Sequence, residues 1–463
     1  MSAQQRYDCL VIGSGQSGTP LVTALAKAGY RTALIEREHI AGTCINEGCT
    51  PTKTMVASAR VAYLARRASD YGVNTGPVTV DMVKVRQRKR DIVNSFRGGS
   101  EGRLQGVPNL EVLFGEASFT GPKTMRVRMN DGSDRDLAAE RIFINTGARP
   151  SIPAIDGLNP ERTLTSTTVM ELDTVPERLI VLGGGYVGLE FGQLFHRFGA
   201  RVTVIQRGAR LLAREDADIA DEVAKILRED GVDVLLETSP TRVAANGAGY
   251  DLTVKTPMGE RVITGSHILA AAGRSPNTEI LNLEVAGVRT QKGGFIAVNE
   301  RLETSAPGIW ALGDVKGGPA FTHISYDDFR VVRANLLEGG SRSINDPPMP
   351  YTVFIDPQLG RVGMSEEEAR AAGKNIKVAK MPMSYIARAN EVDESRGFMK
   401  AVVDADSKQI LGCAILGIEG GELMAMIEIA MLGGVPYTTL RDTVFAHPTL
   451  AESLNNLFSN LEE

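Results

Sequence analysis

Near the start of the chain, Tyr7-Asp8-Cys9-Leu10-Val11-Ile12 has the near-continuous apolar character of a strand buried on both faces. It runs into Gly13-Ser14-Gly15-Gln16-Ser17-Gly18, after which Leu21 to Ala28 repeats with helical spacing and Thr32 to Ile35 reads as a second strand ending at Glu36. The same pattern returns 170 residues later: Leu179 to Leu182, then Gly183-Gly184-Gly185-Tyr186-Val187-Gly188, a helix through Phe198 stopped by Gly199, and the strand Arg201 to Ile205. Between and beyond these units, Ile142 to Ile144 before Thr146-Gly147, Ile268 to Ala272 before Gly273, and Ile309 to Leu312 before Gly313-Asp314 read as strands ending in tight turns. Toward the end, the strands Phe398 to Val403 and Ile410 to Leu416 precede a helical stretch, Gly421 to Leu432, which predicts a separate α+β module.

Each glycine-rich turn between a buried strand and a helix is a dinucleotide fingerprint in its proper context. Gly13 permits the tight turn, Gly15 lets a pyrophosphate approach the backbone, and Gly18 lets the helix pack closely; Gly183, Gly185 and Gly188 repeat the set. Two such units imply two dinucleotides. Glu36, at the end of the first unit's second strand, can accept hydrogen bonds from an adenosine ribose. The second unit has Gln206 at that station, followed by Arg207 and Arg210. A carboxylate there would repel a 2′-phosphate, whereas glutamine with arginine beside it can accept one, so NADPH is expected over NADH. The alternative leaves Arg207 and Arg210 as solvated loop charges.

Composition narrows the class. A length of 463 residues suggests roughly three domains. A net charge of -5 gives no electrostatic case for nucleic acid or an anionic membrane, and the basic run Lys84 to Arg90 is expected to be a solvated helix face. Without an apolar leader or a membrane-length run, a soluble cytoplasmic enzyme is expected. Of the four cysteines, Cys9 and Cys413 fall in apolar runs and read as core. Cys44 and Cys49 instead lie in Ala41-Gly42-Thr43-Cys44-Ile45-Asn46-Glu47-Gly48-Cys49-Thr50-Pro51-Thr52-Lys53. A bridge between them would close too small a loop to constrain much unfolded chain, so its value is redox rather than structural. Glu47 within this loop would raise the thiol pKa if it faced the sulfurs, or would point to solvent.

With two fingerprints, a CxxxxC pair and the ending His447-Pro448-Thr449-Leu450-Ala451-Glu452 in this order, the whole chain resembles the pyridine nucleotide-disulfide oxidoreductases, the group of glutathione reductase, dihydrolipoamide dehydrogenase and mercuric reductase. The resemblance implies two Rossmann-type dinucleotide-binding domains plus a C-terminal α+β dimerisation domain, FAD in the first site, NAD(P)H in the second, and a homodimer. The domain map it suggests is FAD binding over 1–150 and 271–345, NAD(P)H binding over 151–270, and the interface domain over 346–463, with Asp346-Pro347-Pro348-Met349-Pro350 as linker. By motif, Gly13, Gly15, Gly18, Glu36, Thr43, Lys53, Thr146, Gly147 and Asp314 would hold FAD. Gly183, Gly185, Tyr186, Gly188, Gln206, Arg207, Arg210 and Gly273 would serve the pyridine nucleotide, Tyr186 covering the flavin until nicotinamide arrives and Glu190 pairing with Lys53. Cys49 would be the flavin-facing thiolate and Cys44 the outward, exchanging thiol. His447, oriented by Glu452, would act at the other subunit's cysteines, and His447-Pro448 would be cis. The other histidines, His39, His196, His267 and His323, carry no comparable partner signal.

Ala41 stands where the family has glycine, a change that reads as mild. The tail lacks the cysteine pair by which mercuric reductases hand on their metal, while Gln206-Arg207 and Arg396 to Lys400 lie closer to mercuric reductase than to dihydrolipoamide dehydrogenase. The expected activity is NADPH-dependent reduction of a small disulfide or thiol-type substrate. The alternatives are Hg(II) or Cu(II) reduction by the same pair, an NADH-linked dihydrolipoamide dehydrogenase, and a flavin redox sensor with little turnover.

Overall fold

A computed structural model describes residues 4–345 and 348–461, so Asp346 and Pro347 of the expected linker lie outside the described residues. The chain forms two compact units. The first gathers the residues through Met55 with Val83–Ser151 and the stretch beginning at Gly273; the second gathers Val56–Met82, Ile152–Ala272 and the C-terminal stretch.

In the first unit the Gln5–Ile12 strand lies between two parallel neighbours, Thr32–Glu36 and Asp134–Ile144. Leu110–Gly121 extends the parallel set on one side and Ile309–Ala311 on the other. Thr124–Met129 joins Leu110–Gly121 and Asp134–Ile144 as an antiparallel meander. Both faces are covered, which is why the first strand reads as an unbroken apolar run. Leu10 and Ile12 pack into one buried cluster with Phe119, Met125 and Leu137, while Cys9 and Val11 pack into another with Leu21, Leu25 and Phe143. Fully burying such a side chain contributes about 1.5–3 kcal/mol, so the strand is the anchor on which the glycine turn is built. Trp310 stacks on Phe143 at 4.9 Å between centroids.

The second unit contains a four-stranded parallel sheet in the order His267–Ala270, Arg178–Leu182, Arg201–Ile205, Asp233–Leu235. A three-stranded antiparallel sheet, Ser239–Asn246, Gly249–Thr256 and Gly259–Gly265, is inserted in sequence between the Asp233–Leu235 and His267–Ala270 strands. The C-terminal part is a five-stranded antiparallel sheet ordered Tyr351–Val353, Gln358–Gly363, Ile410–Gly417, Phe398–Asp404, Ile376–Pro382. The Gly420–Leu432 helix and the Ser453–Ser459 helix pack their buried faces into its core with Cys413. Cys9 and Cys413 are both buried and their thiols are pushed up to about 12 by burial, so neither takes part in thiol exchange at neutral pH.

The basic run is an exposed helix face as expected at Lys84, Arg88 and Arg90, with one exception. The run lies on the Met82–Leu104 helix, but Lys89 is buried and Arg88 donates to the Thr54 carbonyl at 2.8 Å. The helix turns part of this face inward, and the long apolar stems of these side chains permit it. Among the described residues, no helix is long and apolar enough to cross a membrane.

Candidate active site and its two glycine cradles

The run around the cysteines is helical rather than a loop. Cys44 sits on a short helix, Gly42–Asn46, and Cys49 is the first residue of the Cys49–Arg66 helix. Gly48 joins them where a Cβ would meet the Thr43 carbonyl oxygen at 2.9 Å and the Cys44 Cα at 3.1 Å, so the absence of a side chain there lets the two cysteines approach. Both are free thiols, Cys49 exposed and Cys44 half-buried. In the single chain Cys49 is thus the more exposed of the two, whereas the resemblance gave the outward role to Cys44. The Cys44 thiol is raised above the ordinary cysteine range, first by its hydrogen bond with Cys49 and then by burial; Thr322 acts the other way. Glu47 is half-buried.

Thr322 was not marked by any sequence signal. It opens the Thr322–Leu337 helix, and its hydroxyl lies 2.9 Å from Cys44 Sγ and 3.2 Å from Cys49 Sγ. One O–H therefore faces two sulfurs. Cys49 itself lies at a helix N-terminus, where the backbone dipole favours a thiolate.

The first cradle begins at Gly13, whose φ of +99° no L side chain adopts comfortably. A Cβ on Gly18 would lie 2.1 Å from the Gly13 carbonyl oxygen and 2.8 Å from Asn145 Nδ2, so the close approach is to the turn itself. Asn145, another residue that sequence reasoning passed over, donates from Nδ2 to the Gly13 carbonyl at 3.2 Å and braces the turn. Glu36 accepts from the Ser14 amide at 3.0 Å and the Ser14 hydroxyl at 2.6 Å. That hydroxyl accepts the Ala41 amide at 3.0 Å, and a Cβ on Gly42 would lie 2.6 Å from the Gly15 Cα. The glycine turn and the start of the cysteine helix are thus packed backbone to backbone. Ala41 is buried with φ +82°, which corrects the mild reading: this is a left-handed position, strained for alanine.

Thr43 is exposed, while Lys53 and Thr146 are half-buried; the Thr146 hydroxyl donates to the Asn277 carbonyl at 2.8 Å. Gly147 adopts φ +69° with open space where a Cβ would point. Asp314 has its carboxyl raised by burial, with the Arg274 guanidinium 3.8 Å away. Its turn is pinned by Asp328, which accepts the Gly313 amide at 2.7 Å and pairs with buried Lys316 at 3.3 Å. Arg274 Nε is buried and has no hydrogen-bond partner among the described residues. Open backbone at Gly147, an unsatisfied cationic donor and a carboxylate at a strand end suit a phosphate- and polyol-bearing group such as FAD.

The second cradle repeats the first. Gly183 has φ +122°, a Cβ on Gly188 would lie 2.1 Å from the Gly183 carbonyl oxygen, and Gly185 faces open space. The Gly184 amide donates to Gln206 Oε1 at 3.1 Å, matching the Ser14 amide on Glu36. Gln206 Nε2 donates to the Arg210 carbonyl at 3.1 Å. Arg207 is exposed, but Arg210 is held: its NH1 donates to the Glu215 carbonyl at 3.0 Å and to Glu367 Oε1 at 2.9 Å. Tyr186, the first residue of the Tyr186–Phe198 helix, is half-buried; Glu190, one turn on, is buried and accepts the Phe354 amide at 2.9 Å. Gly273 takes φ +137° after the strand of this unit.

At the C-terminal end His447 Nδ1 lies 2.9 Å from Glu452 Oε2, and the ring is exposed. The His447-Pro448 bond is cis, as the resemblance implied; Asp356-Pro357, also cis, had no forewarning. Asn455 fixes this end by donating to the carbonyls of Leu440, Arg441 and Thr443 at 2.8–2.9 Å. Elsewhere, His267 has its pKa lowered by burial beside Ser266, and His323 stacks on Phe321. Among the described residues, no three His, Cys, Asp or Glu side chains gather to hold a metal ion.

Residues 7–328 match the pyridine nucleotide-disulphide oxidoreductase family, and residues 349–458 match the dimerisation domain of the same group. The probable pyridine nucleotide-disulfide oxidoreductase RclA of Escherichia coli K12 is 40% identical over 98% of this chain and 99% of its own length. A mercuric reductase of Lysinibacillus sphaericus is 34% identical over 97% of this chain and 82% of its own, and a dihydrolipoyl dehydrogenase of Thermus scotoductus 35% over 97% and 96%. Among solved structures, the Cu(II) complex of the HOCl-induced flavoprotein disulfide reductase RclA from Escherichia coli superposes with a TM-score of 0.89 at 39% identity, covering 98% of this chain and 99% of that one. On the strength of both matched domains and these full-length relatives, the chain belongs to the pyridine nucleotide-disulphide oxidoreductase family.

Proposed function

We propose that this protein is an NADPH-dependent disulfide reductase in which electrons reach a disulfide or thiol-type substrate through the Cys44–Cys49 pair. The observation that carries the reading is the single Thr322 hydroxyl within hydrogen-bond reach of both sulfurs, at the start of two helices. When bound over 1–150 and 271–345, FAD would supply a hydride acceptor between the nicotinamide and sulfur. Gly13, Gly15, Gly18, Glu36, Thr43, Lys53, Thr146, Gly147 and Asp314 would hold it, and Gly183, Gly185, Gly188, Gln206 and Arg207 of 151–270, with Gly273 beyond it, would receive NADPH. Tyr186 and Glu190 serve the same transfer from the start of their helix.

In the thiol half, the Cys44 thiolate attacks one sulfur of the substrate disulfide and releases the other as a thiol. Cys49 then attacks the mixed disulfide, freeing the second thiol and closing the Cys44–Cys49 bond. The balance is one dithiol and one disulfide exchanged for one disulfide and two thiols. Cys49, at a helix N-terminus, is the electron-receiving member; Cys44, its pKa raised by the hydrogen bond with Cys49 and then by burial, needs a base before it attacks. His447 of the partner subunit fills that role in a homodimer, with Glu452 fixing the proton-bearing nitrogen.

A second reading, metal-ion reduction by the same pair, has two findings in its favour: mercuric reductases stand among the relatives, and the related RclA was solved as a Cu(II) complex. Steady-state NADPH and NADH oxidation against small disulfides, Hg(II) and Cu(II) separates the readings. Disulfide-dependent turnover with at least about tenfold preference for NADPH, equivalent to 1.4 kcal/mol, supports the first. Turnover with metal ions alone would replace it with the second, and a preference for NADH would move the chain toward dihydrolipoyl dehydrogenase.

A further inference from the structure

The loop that follows the Arg201–Ile205 strand carries its own brake. Arg210 projects from the loop that Gln206 organises, yet its NH1 is committed to the Glu215 carbonyl and to Glu367 Oε1, at 3.0 and 2.9 Å. Glu367 is not loosely placed. Asp216 accepts the amides of Glu366 and Glu367 at 3.0 and 2.9 Å, which fastens the start of the Glu366–Ala371 helix to the end of the Arg210 loop. Lys400, itself buried, pairs with Asp216 at 2.9 Å and with Glu366 at 2.8 Å and locks that arrangement. Arg361 adds a second tie, to Glu215 at 3.1 Å and to Glu368 at 2.9 Å. The acid facing Arg210 is therefore presented by a rigid scaffold.

We propose that Glu367 is a specificity-setting residue: it withholds Arg210 from the 2′-phosphate end of the pyridine nucleotide, so that the enzyme discriminates NADPH from NADH through Arg207 alone. The inference rests on the NADPH reading of the Gln206 station and deepens it. An arriving 2′-phosphate competes with a carboxylate already placed on Arg210, and only the exposed Arg207 meets it without a rival. Removing the rival frees a planar donor for a doubly charged ligand. The pair is partly exposed, with side-chain exposures of 35% and 55%, so the gain is modest.

Adenosine 2′,5′-bisphosphate and 5′-AMP, titrated calorimetrically into the intact flavoprotein, test this without relying on turnover. Glu367→Gln is expected to tighten the bisphosphate about three- to fivefold while leaving 5′-AMP unchanged, and Arg210→Gln added to it is expected to abolish the gain. An unchanged bisphosphate affinity in Glu367→Gln, with the wild-type preference for the bisphosphate intact, overturns the inference and leaves the NADPH reading standing. Equal tightening of both ligands also overturns it, because a structural effect would not distinguish the phosphate. A gain that survives Arg210→Gln overturns it as well. If the wild type shows no preference but Glu367→Gln acquires one, the withholding of Arg210 by Glu367 stands, while the discrimination through Arg207 and the NADPH reading both fall.

Discussion

The hydroxyl of Thr322 lies 2.9 Å from the sulfur of Cys44, a contact across 278 residues of sequence, and the same oxygen is 3.2 Å from Cys49. A hydroxyl has one hydrogen to give. It can stabilise whichever sulfur is anionic, so removing it is expected to raise both thiols. Thr322→Val should slow alkylation of the reduced pair near pH 8 by roughly tenfold, since a hydrogen bond to a charged group is worth about 1.5–3 kcal/mol. Thr322→Ser, which keeps the donor, should react like the wild type. Equal alkylation rates in Thr322→Val and wild type would remove the hydroxyl from the chemistry.

Ala41 offers a stability test. Its φ of +82° is a left-handed conformation that costs a non-glycine residue about 1–2 kcal/mol, partly offset by the extra unfolded-state freedom of glycine. Ala41→Gly should stabilise the protein by about 0.5–1 kcal/mol in denaturant unfolding. A loss of stability instead would mean that the buried methyl group matters more than the backbone strain.

These two residues also mark the limit of what the sequence discloses. Both glycine turns were legible because their backbones need positive φ and close approach, at Gly13 and Gly183, and glycine alone meets that need. The His447 and Glu452 pairing was legible because a short segment brings both together. Thr322 and Asn145 were not, since each reaches its target from a distant strand end or helix start and neither belongs to a spaced pattern. Lys89 failed for a related reason: a charged run predicts a wet face, and only the packing of the helix shows which member turns inward.

Stability should fall as pH rises through neutrality. Glu215 is buried between Arg361 and the Tyr351 hydroxyl, and burial raises its carboxyl to about 7. A folded-state pKa above the unfolded value means that the folded state binds the proton more tightly. The resulting stabilisation is complete below about pH 4, declines between there and pH 7, and is lost above it. Melting temperatures between pH 5 and 8 should show this decline, and Glu215→Gln, which cannot titrate, should flatten it. An unchanged slope in that variant would assign the pH dependence elsewhere.

His447 is exposed in the single chain with Nδ1 2.9 Å from Glu452, and the proposed mechanism assigns it to the partner subunit's cysteines. Cys44→Ser and His447→Ala subunits should each be inactive alone. Mixed under conditions that exchange subunits, they should recover activity, because one of the two sites in each heterodimer then has all its parts. Demonstrated exchange without recovery would place His447 outside the partner's site.

The most direct measurement is a count of thiols. The oxidised flavoprotein should be reduced anaerobically with one equivalent of NADPH, alkylated, and mapped by mass spectrometry. Two new thiols, at Cys44 and Cys49 and nowhere else, are predicted, and they should vanish on addition of a small disulfide substrate. If NADPH is consumed by that disulfide at the wild-type rate in Cys44→Ser, or if Cys44 and Cys49 stay unlabelled after reduction, electrons do not pass through the pair and the account is contradicted.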